Sequence, residues 1–297
     1  MSSFTALRTY IENLVSKGGP TESDDIAFMS MLEILDLCSD SGGLAEPVKV
    51  ELRSWFGNAL SPITMQGMAL CKVHGYAGDF EIIDRIYQNY ISSNPVLANW
   101  DHFYHRQPAP RAVRNRKTYF HDLLDRHSAR CNPLNVLKIA SGPGRSMFEW
   151  LSAHPDAPIT IDCVELDGTA IEYAKNLNKP FLDRITFEQK NALRYKPTRT
   201  YDLIWAAGIF DYFNDAIFCR MIRRLLPALA SGGEMVIGNF SNFNPSRAYM
   251  ELLGEWRLQY RSGEQLRTLA EDAGVPPRNI TLGQEPEGVN LFLHIRS

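Results

Sequence analysis

Cysteine is scarce in this sequence, and its placement excludes cross-linking and zinc binding. The five cysteines are scattered over 297 residues, in an odd number and without a Cys-x-x-Cys pair. That pattern is typical of reduced thiols in a reducing compartment. No apolar run approaches the roughly 20 residues that a membrane-spanning helix needs. The start, Met-Ser-Ser-Phe-Thr, lacks the basic and apolar regions of a signal peptide. We therefore expect a cytoplasmic protein that does not insert into a membrane.

An excess of charge is missing as well. The chain has 31 basic and 34 acidic residues, a net charge of −3, and 44% hydrophobic residues, which is ordinary for a globular protein. This balance gives no general attraction to nucleic acid. The pair His102 and His105 has no third candidate ligand nearby, so no metal site is predicted. The length allows one large domain or two moderate ones.

The pattern of apolar residues changes near residue 130. Before it, residues such as Leu7, Ile11 and Leu14 recur at helical spacing, which predicts an all-helical domain over 1–130. After it, short apolar runs alternate with helical segments, which predicts parallel βαβ units. Residues 131–297 are therefore expected to form an α/β doubly wound sheet of seven mostly parallel strands with a reversed end. The predicted strands are 136–140, 159–164, 185–188, 203–206, 235–238, 280–282 and 289–295.

A glycine-rich loop joins the first predicted strand to a helix. Gly142 and Gly144 allow a tight turn and a close approach of the backbone to a ligand. Glu165 closes the next strand, 21 residues after Gly144, where a carboxylate can accept both hydroxyls of an adenosine ribose. A dinucleotide site normally needs a third glycine near the helix start, and the loop lacks it. The pattern therefore favours S-adenosylmethionine (SAM), which has no phosphates, over a nicotinamide cofactor.

Further cofactor contacts are expected at the ends of neighbouring strands, because ligands of such sheets bind outside the carboxyl ends of the strands. Asn191 and Ala192 follow the third strand and could read the adenine edge. The arginines of a basic segment, Arg111 and Arg114, suit a carboxylate of SAM or of an acidic substrate; a solvated basic face is the alternative. The predicted cofactor-binding residues are Ala140, Gly142, Gly144, Glu165, Asn191, Ala192, Ala207, Gly208 and Arg114.

Together these motifs resemble class I SAM-dependent methyltransferases over about 165 residues, although Lys138 and Ala140 stand where that family usually has an acidic residue and glycine. Four segments, 75–81, 111–116, 207–212 and 238–247, resemble bacterial methyltransferases of extracellular-factor biosynthesis, a group associated with methyl esters of 3-hydroxy fatty acids. This narrower resemblance covers about residues 70–297. It implies methylation of a small molecule.

Candidate residues for the chemistry and the acceptor follow from the same segments. A carboxylate or thioether acceptor is already nucleophilic, whereas an amine or hydroxyl needs a base. The catalytic candidates are Asp79, Asp211 and Tyr212. The substrate-binding candidates are Tyr76, Arg111, Asn239, Arg247, Tyr260 and Arg261. The spacing of Tyr249, Trp256 and Tyr260 also suits one buried stripe of a helix.

The sequence thus predicts a SAM-dependent methyltransferase of small-molecule metabolism. Its expected substrate is a carboxylate-bearing metabolite, either a hydroxy fatty acid methylated on the carboxylate or an amino acid methylated on sulfur or nitrogen. A homodimer is possible on this reading, and nucleic acid is not an expected partner. The alternative is a noncatalytic SAM-binding regulatory module that engages a protein partner through its N-terminal helices.

Overall fold

The computed structural model describes residues 3–40 and 44–297. The described chain divides into two compact units. The first comprises residues up to Arg111 together with Pro245–Arg257, and the second comprises Ala112–Asn244 and Leu258–Ser297. These bounds differ from the predicted division into 1–130 and 131–297, because the segment after the fifth strand returns to the helical unit.

Twelve α-helices occur in the described residues. In chain order they are α1 (Ser3–Ser16), α2 (Asp25–Asp40), α3 (Glu46–Ser54), α4 (Met65–Cys71), α5 (Phe80–Tyr87), α6 (Ala98–Arg106), α7 (Pro108–Ser128), α8 (Arg145–Ala153), α9 (Gly168–Leu177), α10 (Asp215–Leu225), α11 (Arg247–Leu253) and α12 (Gly263–Asp272).

The helical unit has an aromatic core. Phe28 packs edge-on against Trp100 and Phe103, with ring centroids 5.8 and 5.1 Å apart, and Phe103 packs against Tyr249 of α11 at 5.2 Å. The Tyr249 hydroxyl donates a hydrogen bond of 2.6 Å to Gln66 in α4. Trp100 and Phe103 are fully buried, so they stabilise this core rather than presenting a face to a ligand.

Single residues set several helix bounds in this unit. Lys72 adopts a left-handed conformation (φ 47°) that ends α4, so α5 forms a separate helix. The Pro108–Pro110 segment begins α7, since proline is tolerated in a first turn. The stripe proposed for Tyr249, Trp256 and Tyr260 is not one helix, because α11 ends at Leu253.

The second unit is built on the predicted seven-stranded sheet. Its strands run in the order β3-β2-β1-β4-β5-β7-β6; the first five are parallel, and β7 is antiparallel to both neighbours. This confirms the expected fold class, including the reversed end. The strands are β1 (Leu134–Ile139), β2 (Ile159–Glu165), β3 (Ile185–Gln189), β4 (Tyr201–Ala207), β5 (Leu229–Phe240), β6 (Ile280–Gln284) and β7 (Asn290–Arg296).

Helices cover both faces of the sheet, which explains why its central strands are mostly apolar. One core cluster joins α7 and α8 to the sheet through Phe120, Leu124 and Trp150. The other joins α10 and α12 through Phe218 and Leu266. The turn from β1 into α8 and the ends of β2, β3 and β4 therefore meet at one edge of the sheet.

Buried Glu234, at 3% exposure, anchors α7 to β5 and β7. Arg126 and His127 of α7 contact one carboxylate oxygen at 2.6 and 3.0 Å, and His294 and Arg296 of β7 contact the other at 3.0 and 3.2 Å. Burial by itself would raise the pKa of Glu234, but the hydrogen bonds from the two histidines and the positive charge of Arg126 lower it well below its usual range.

The sequence analysis also predicted reduced cysteines and no membrane-spanning helix. Cys71, Cys131, Cys163 and Cys219 are free thiols, and the side chain of Cys38 lies outside the described part. No helix in residues 3–40 and 44–297 combines the length and apolar character needed to cross a membrane.

Candidate active site

The loop between β1 and α8 is held in left-handed backbone conformations. Ala140, Gly142 and Gly144 have φ angles of 51°, 59° and 75°. Such values suit glycine and are unfavourable for alanine. The two glycines differ in their surroundings. A Cβ on Gly142 would have no atom within 4 Å, whereas a Cβ on Gly144 would lie 2.7 Å from the side-chain nitrogen of Asn178. Gly144 is required by close packing, and Gly142 leaves open space beside the loop.

The carboxylate of Glu165 is fixed at the end of β2 by three backbone N–H groups. One oxygen accepts a hydrogen bond from Gly142 at 3.0 Å, and the other accepts from Leu166 and Asp167 at 2.8 and 3.1 Å. The side chain is half-buried. A carboxylate has about four acceptor positions, so this one is oriented and retains capacity for a ligand hydroxyl.

The segment after β3 is shaped by local turns. The side-chain oxygen of Asn191 accepts a hydrogen bond of 2.9 Å from the backbone of Leu193, and Ala192 is buried. This turn sets the backbone that follows β3, one strand beyond Glu165.

At the end of β4, Gly208 lies against an arginine that the sequence analysis did not select. Gly208 has a φ of 104°, and a Cβ there would be 3.1 Å from the Nη1 atom of Arg116. Arg116 is only 6% exposed. Within the part of the chain that the structure describes, its guanidinium makes no hydrogen bond or ion pair, and its interactions with Asp211 and Lys138 act through charge alone.

A second buried cation, Lys138, lies on β1 below the glycine loop. Its Nζ donates a hydrogen bond of 2.8 Å to Ser146 and lies 5.3 Å from the ring centroid of Phe120. Burial, together with the charge of Arg116, lowers the pKa of Lys138 to about 8, against the opposing charges of Cys163 and Glu165. Lys138 therefore lies within range of the charge of Glu165 at the end of β2 and of Arg116, which lies against Gly208.

Asp211, a predicted catalytic residue, is buried directly after β4. Its Oδ1 accepts a hydrogen bond of 2.6 Å from the Phe240 backbone, and its own carbonyl accepts one of 2.6 Å from Gln259. Burial raises the pKa of Asp211 to about 6, against the hydrogen bond from Phe240 and the charges of Arg116 and Arg261. A carboxylate that titrates near neutrality at a strand end is suited to acid–base chemistry.

Two predicted substrate-binding residues, Asn239 and Arg261, are engaged within the protein. Arg261 makes five hydrogen bonds, to Asp215, to Asn239 and to the carbonyls of Phe210 and Phe213. Asn239 is fully buried and donates to the carbonyls of Phe240 and Gln259. These contacts join the loop after β4 to the segment after β5.

The remaining predicted residues fall into two groups. In the helical unit, Asp79 caps α5 by accepting hydrogen bonds from Glu81 and Ile82, and Arg247 pairs with Glu251 at 3.0 Å. Tyr76 and Arg111 are exposed there. In the sheet unit, Tyr212 is exposed, and Arg114 and Tyr260 are half-buried. The structure thus groups the predicted cofactor residues with Asp211 in one unit and places Asp79, Tyr76, Arg111 and Arg247 in the other.

Arg116 and Lys138 were missed, although a signal was present for each. Arg116 precedes Phe120 by four residues and Leu124 by eight, so it continues the apolar stripe of α7. Lys138 stands in the middle of the predicted strand 136–140, and strands of a parallel sheet are covered on both faces. In residues 3–40 and 44–297, no cluster of three or more metal-ligating side chains occurs.

Comparison with known proteins agrees with this architecture. Residues 136–233 match a family model described as a methyltransferase domain. A protein from Bordetella parapertussis described as possibly exported is 21% identical, with a TM-score of 0.63 over 74% of this chain and 79% of its own. A protein from Nostoc punctiforme described as a putative O-methyltransferase is 16% identical, with a TM-score of 0.52 over 81% of this chain and 71% of its own. Among curated proteins, none matches this sequence.

The match over residues 136–233 and the strand order agree with each other. The sheet unit has the fold of a class I methyltransferase domain.

Proposed function

We propose that this enzyme transfers the methyl group of SAM to a small metabolite that bears a carboxylate. The acceptor is a hydroxy fatty acid methylated on its carboxylate, or an amino acid methylated on sulfur or nitrogen. The proposal depends on one observation above all, the orientation of the Glu165 carboxylate by Gly142, Leu166 and Asp167 at the end of β2.

The residues around Glu165 fit SAM. The glycine loop offers open space at Gly142, and the preset carboxylate suits the two ribose hydroxyls. The turn at Asn191 and Ala192 suits the adenine, and Gly208, which has no side chain, lets Arg116 approach the end of β4. When bound, SAM supplies an electrophilic methyl group. The residues described here bind and orient the reactants and exclude water around them.

The carboxylate acceptor is favoured because it needs no base. The resemblance of four segments to extracellular-factor methyltransferases supports a fatty acid carboxylate. An amine or hydroxyl acceptor would have to lose a proton; Asp211, with its pKa raised to about 6, is the residue of this unit placed to take it.

Equilibrium binding tests the cofactor site. Glu165→Ala should weaken binding of S-adenosylhomocysteine (SAH) about 100-fold or more, because each hydrogen bond to a charged group contributes about 1.5–3 kcal/mol. Glu172→Ala is the matched control, since Glu172 lies on α9 with a side chain 69% exposed. Isothermal titration calorimetry measures both. Unchanged affinity in Glu165→Ala would remove the proposed site.

Methyl-labelled SAM tests the acceptor. The enzyme is incubated with a metabolite extract, and the labelled products are treated with mild base. A methyl ester releases its label as volatile methanol, whereas an N-methyl or S-methyl product retains it. Release supports carboxylate methylation, and retention supports the amino acid alternative. Labelling of macromolecules alone would contradict a small-molecule acceptor.

A further inference from the structure

The two buried cations near the ends of β1 and β4 lack a partner of suitable strength. Arg116 is 6% exposed and makes no hydrogen bond or ion pair among the described residues, and Lys138, equally buried, has one hydrogen bond, to the neutral hydroxyl of Ser146. Burying a charge without a paired acceptor is costly. A planar guanidinium with five donors is best satisfied by a carboxylate or phosphate.

The local anions do not supply that partner. Asp211 and Glu165 influence this region through charge, but neither carboxylate forms an ion pair with Arg116 or Lys138. Both are held by backbone N–H groups, Asp211 by Phe240 and Glu165 by Gly142, Leu166 and Asp167. The guanidinium instead lies 3.1 Å from the position of a Cβ on Gly208. The missing side chain at Gly208 therefore lets Arg116 reach the end of β4, where ligands of such sheets bind.

We propose that Arg116 and Lys138 form a buried carboxylate site that holds the methionine carboxylate of SAM. This inference rests on the proposed function and assigns to Arg116 the role that the sequence had suggested for Arg114. Arg116 donates to the carboxylate, and the Lys138 ammonium adds a second positive charge. Lys138 occupies the β1 position where class I methyltransferases usually have an acidic residue. At this position the charge is therefore positive instead of negative.

The test compares SAM with decarboxylated SAM, which keeps the sulfonium and the amine and lacks only the carboxylate. Arg116→Met should weaken SAM binding about 10- to 100-fold and leave the affinity for decarboxylated SAM within about threefold of wild type. Lys138→Met should show the same selectivity with a smaller loss. Arg220→Met, at an exposed arginine of α10, should change neither affinity.

Normal binding of decarboxylated SAM also shows that a variant is folded. If Arg116→Met does not fold, Arg116→Lys is the second variant. It keeps the positive charge but lacks the planar guanidinium that can donate two hydrogen bonds to one carboxylate, so it should lose part of the preference for SAM over decarboxylated SAM. Equal losses for both ligands would overturn the assignment in favour of a structural role. If Arg116→Met binds SAM as tightly as wild type, the assignment is also overturned, and the two cations would instead be candidates for binding the carboxylate of the acceptor. If wild type binds neither nucleoside, the proposed function itself fails, and this site fails with it.

Discussion

The two glycines of the β1–α8 loop should respond differently to the same substitution. Both have positive φ angles, so alanine at either position introduces backbone strain of about 1–2 kcal/mol. At Gly144 the new methyl group would also lie 2.7 Å from Asn178 Nδ2, which is buried and donates to the carbonyls of Gly144 and Ala174. Displacing that amide costs about 1–3 kcal/mol more.

We therefore expect Gly144→Ala to lower the free energy of unfolding by about 2–5 kcal/mol, which is about 4–20 °C in melting temperature for a domain of this size. Gly142→Ala should cost only the strain, because no atom lies within 4 Å of its Cβ. That open space adjoins Glu165, so the methyl group should instead weaken SAH binding about tenfold or more. Circular dichroism melting and calorimetric titration separate the two effects.

The decisive comparison is between Gly142→Ala and Gly144→Ala, in stability and in SAH binding. If Gly142→Ala binds SAH like wild type, the open space beside the loop is not where the cofactor lies. If Gly142→Ala destabilises the protein as much as Gly144→Ala, the difference in packing around the two glycines does not hold.

Two further predictions concern pH. The pKa of Asp211 is raised to about 6, so ionisation of Asp211 destabilises the folded state; this destabilisation is absent below about pH 4 and complete above about pH 6. As the pH rises from 4 to 7, Asp211→Asn should therefore gain about 2–3 kcal/mol of stability relative to wild type. A difference in urea midpoints that does not change with pH would contradict this. The pKa of Glu234 is lowered, so its contribution is present above about pH 4.5 and is lost as the pH falls. Glu234→Gln should lower the free energy of unfolding by about 3–5 kcal/mol at pH 7 and progressively less below pH 4.5. The control, Glu172→Gln at an exposed position, should lower it by less than about 1 kcal/mol. If Glu234→Gln loses no more stability at pH 7 than the control, the anchoring role of Glu234 is refuted.

Much of the sheet unit could be read from local patterns. Six of the seven strands were predicted within two residues, because buried parallel strands form short apolar runs between helices. The fifth strand starts six residues before the predicted bound of 235. The loop with Gly142 and Gly144 and the strand-ending Glu165 were also found, since their spacing follows from the geometry of one βαβ unit. Helix bounds in the first unit were less predictable, because single residues such as Lys72 set them.

The partners of the long-range contacts could not be read in the same way. The return of α11 to the helical unit depends on contacts such as Tyr249 with Gln66, 183 residues apart. Arg261 and Asn239 were expected to bind substrate, but their hydrogen-bonding groups are used inside the protein. A sequence shows which groups a side chain carries, not which of them remain available.

The sequence alone determined where the strands of the sheet unit lie along the chain, the glycine turn and the acidic residue that ends the second strand, since these depend on residues close together in the chain. The tertiary structure decided which arginine of α7 is buried. Arg111, Arg114 and Arg116 lie within two turns of one helix, and only the packing of Phe120 and Leu124 against the sheet fixes the rotation that directs Arg116 toward Gly208. That rotation depends on contacts with β1, β4 and β7, which no local pattern contains.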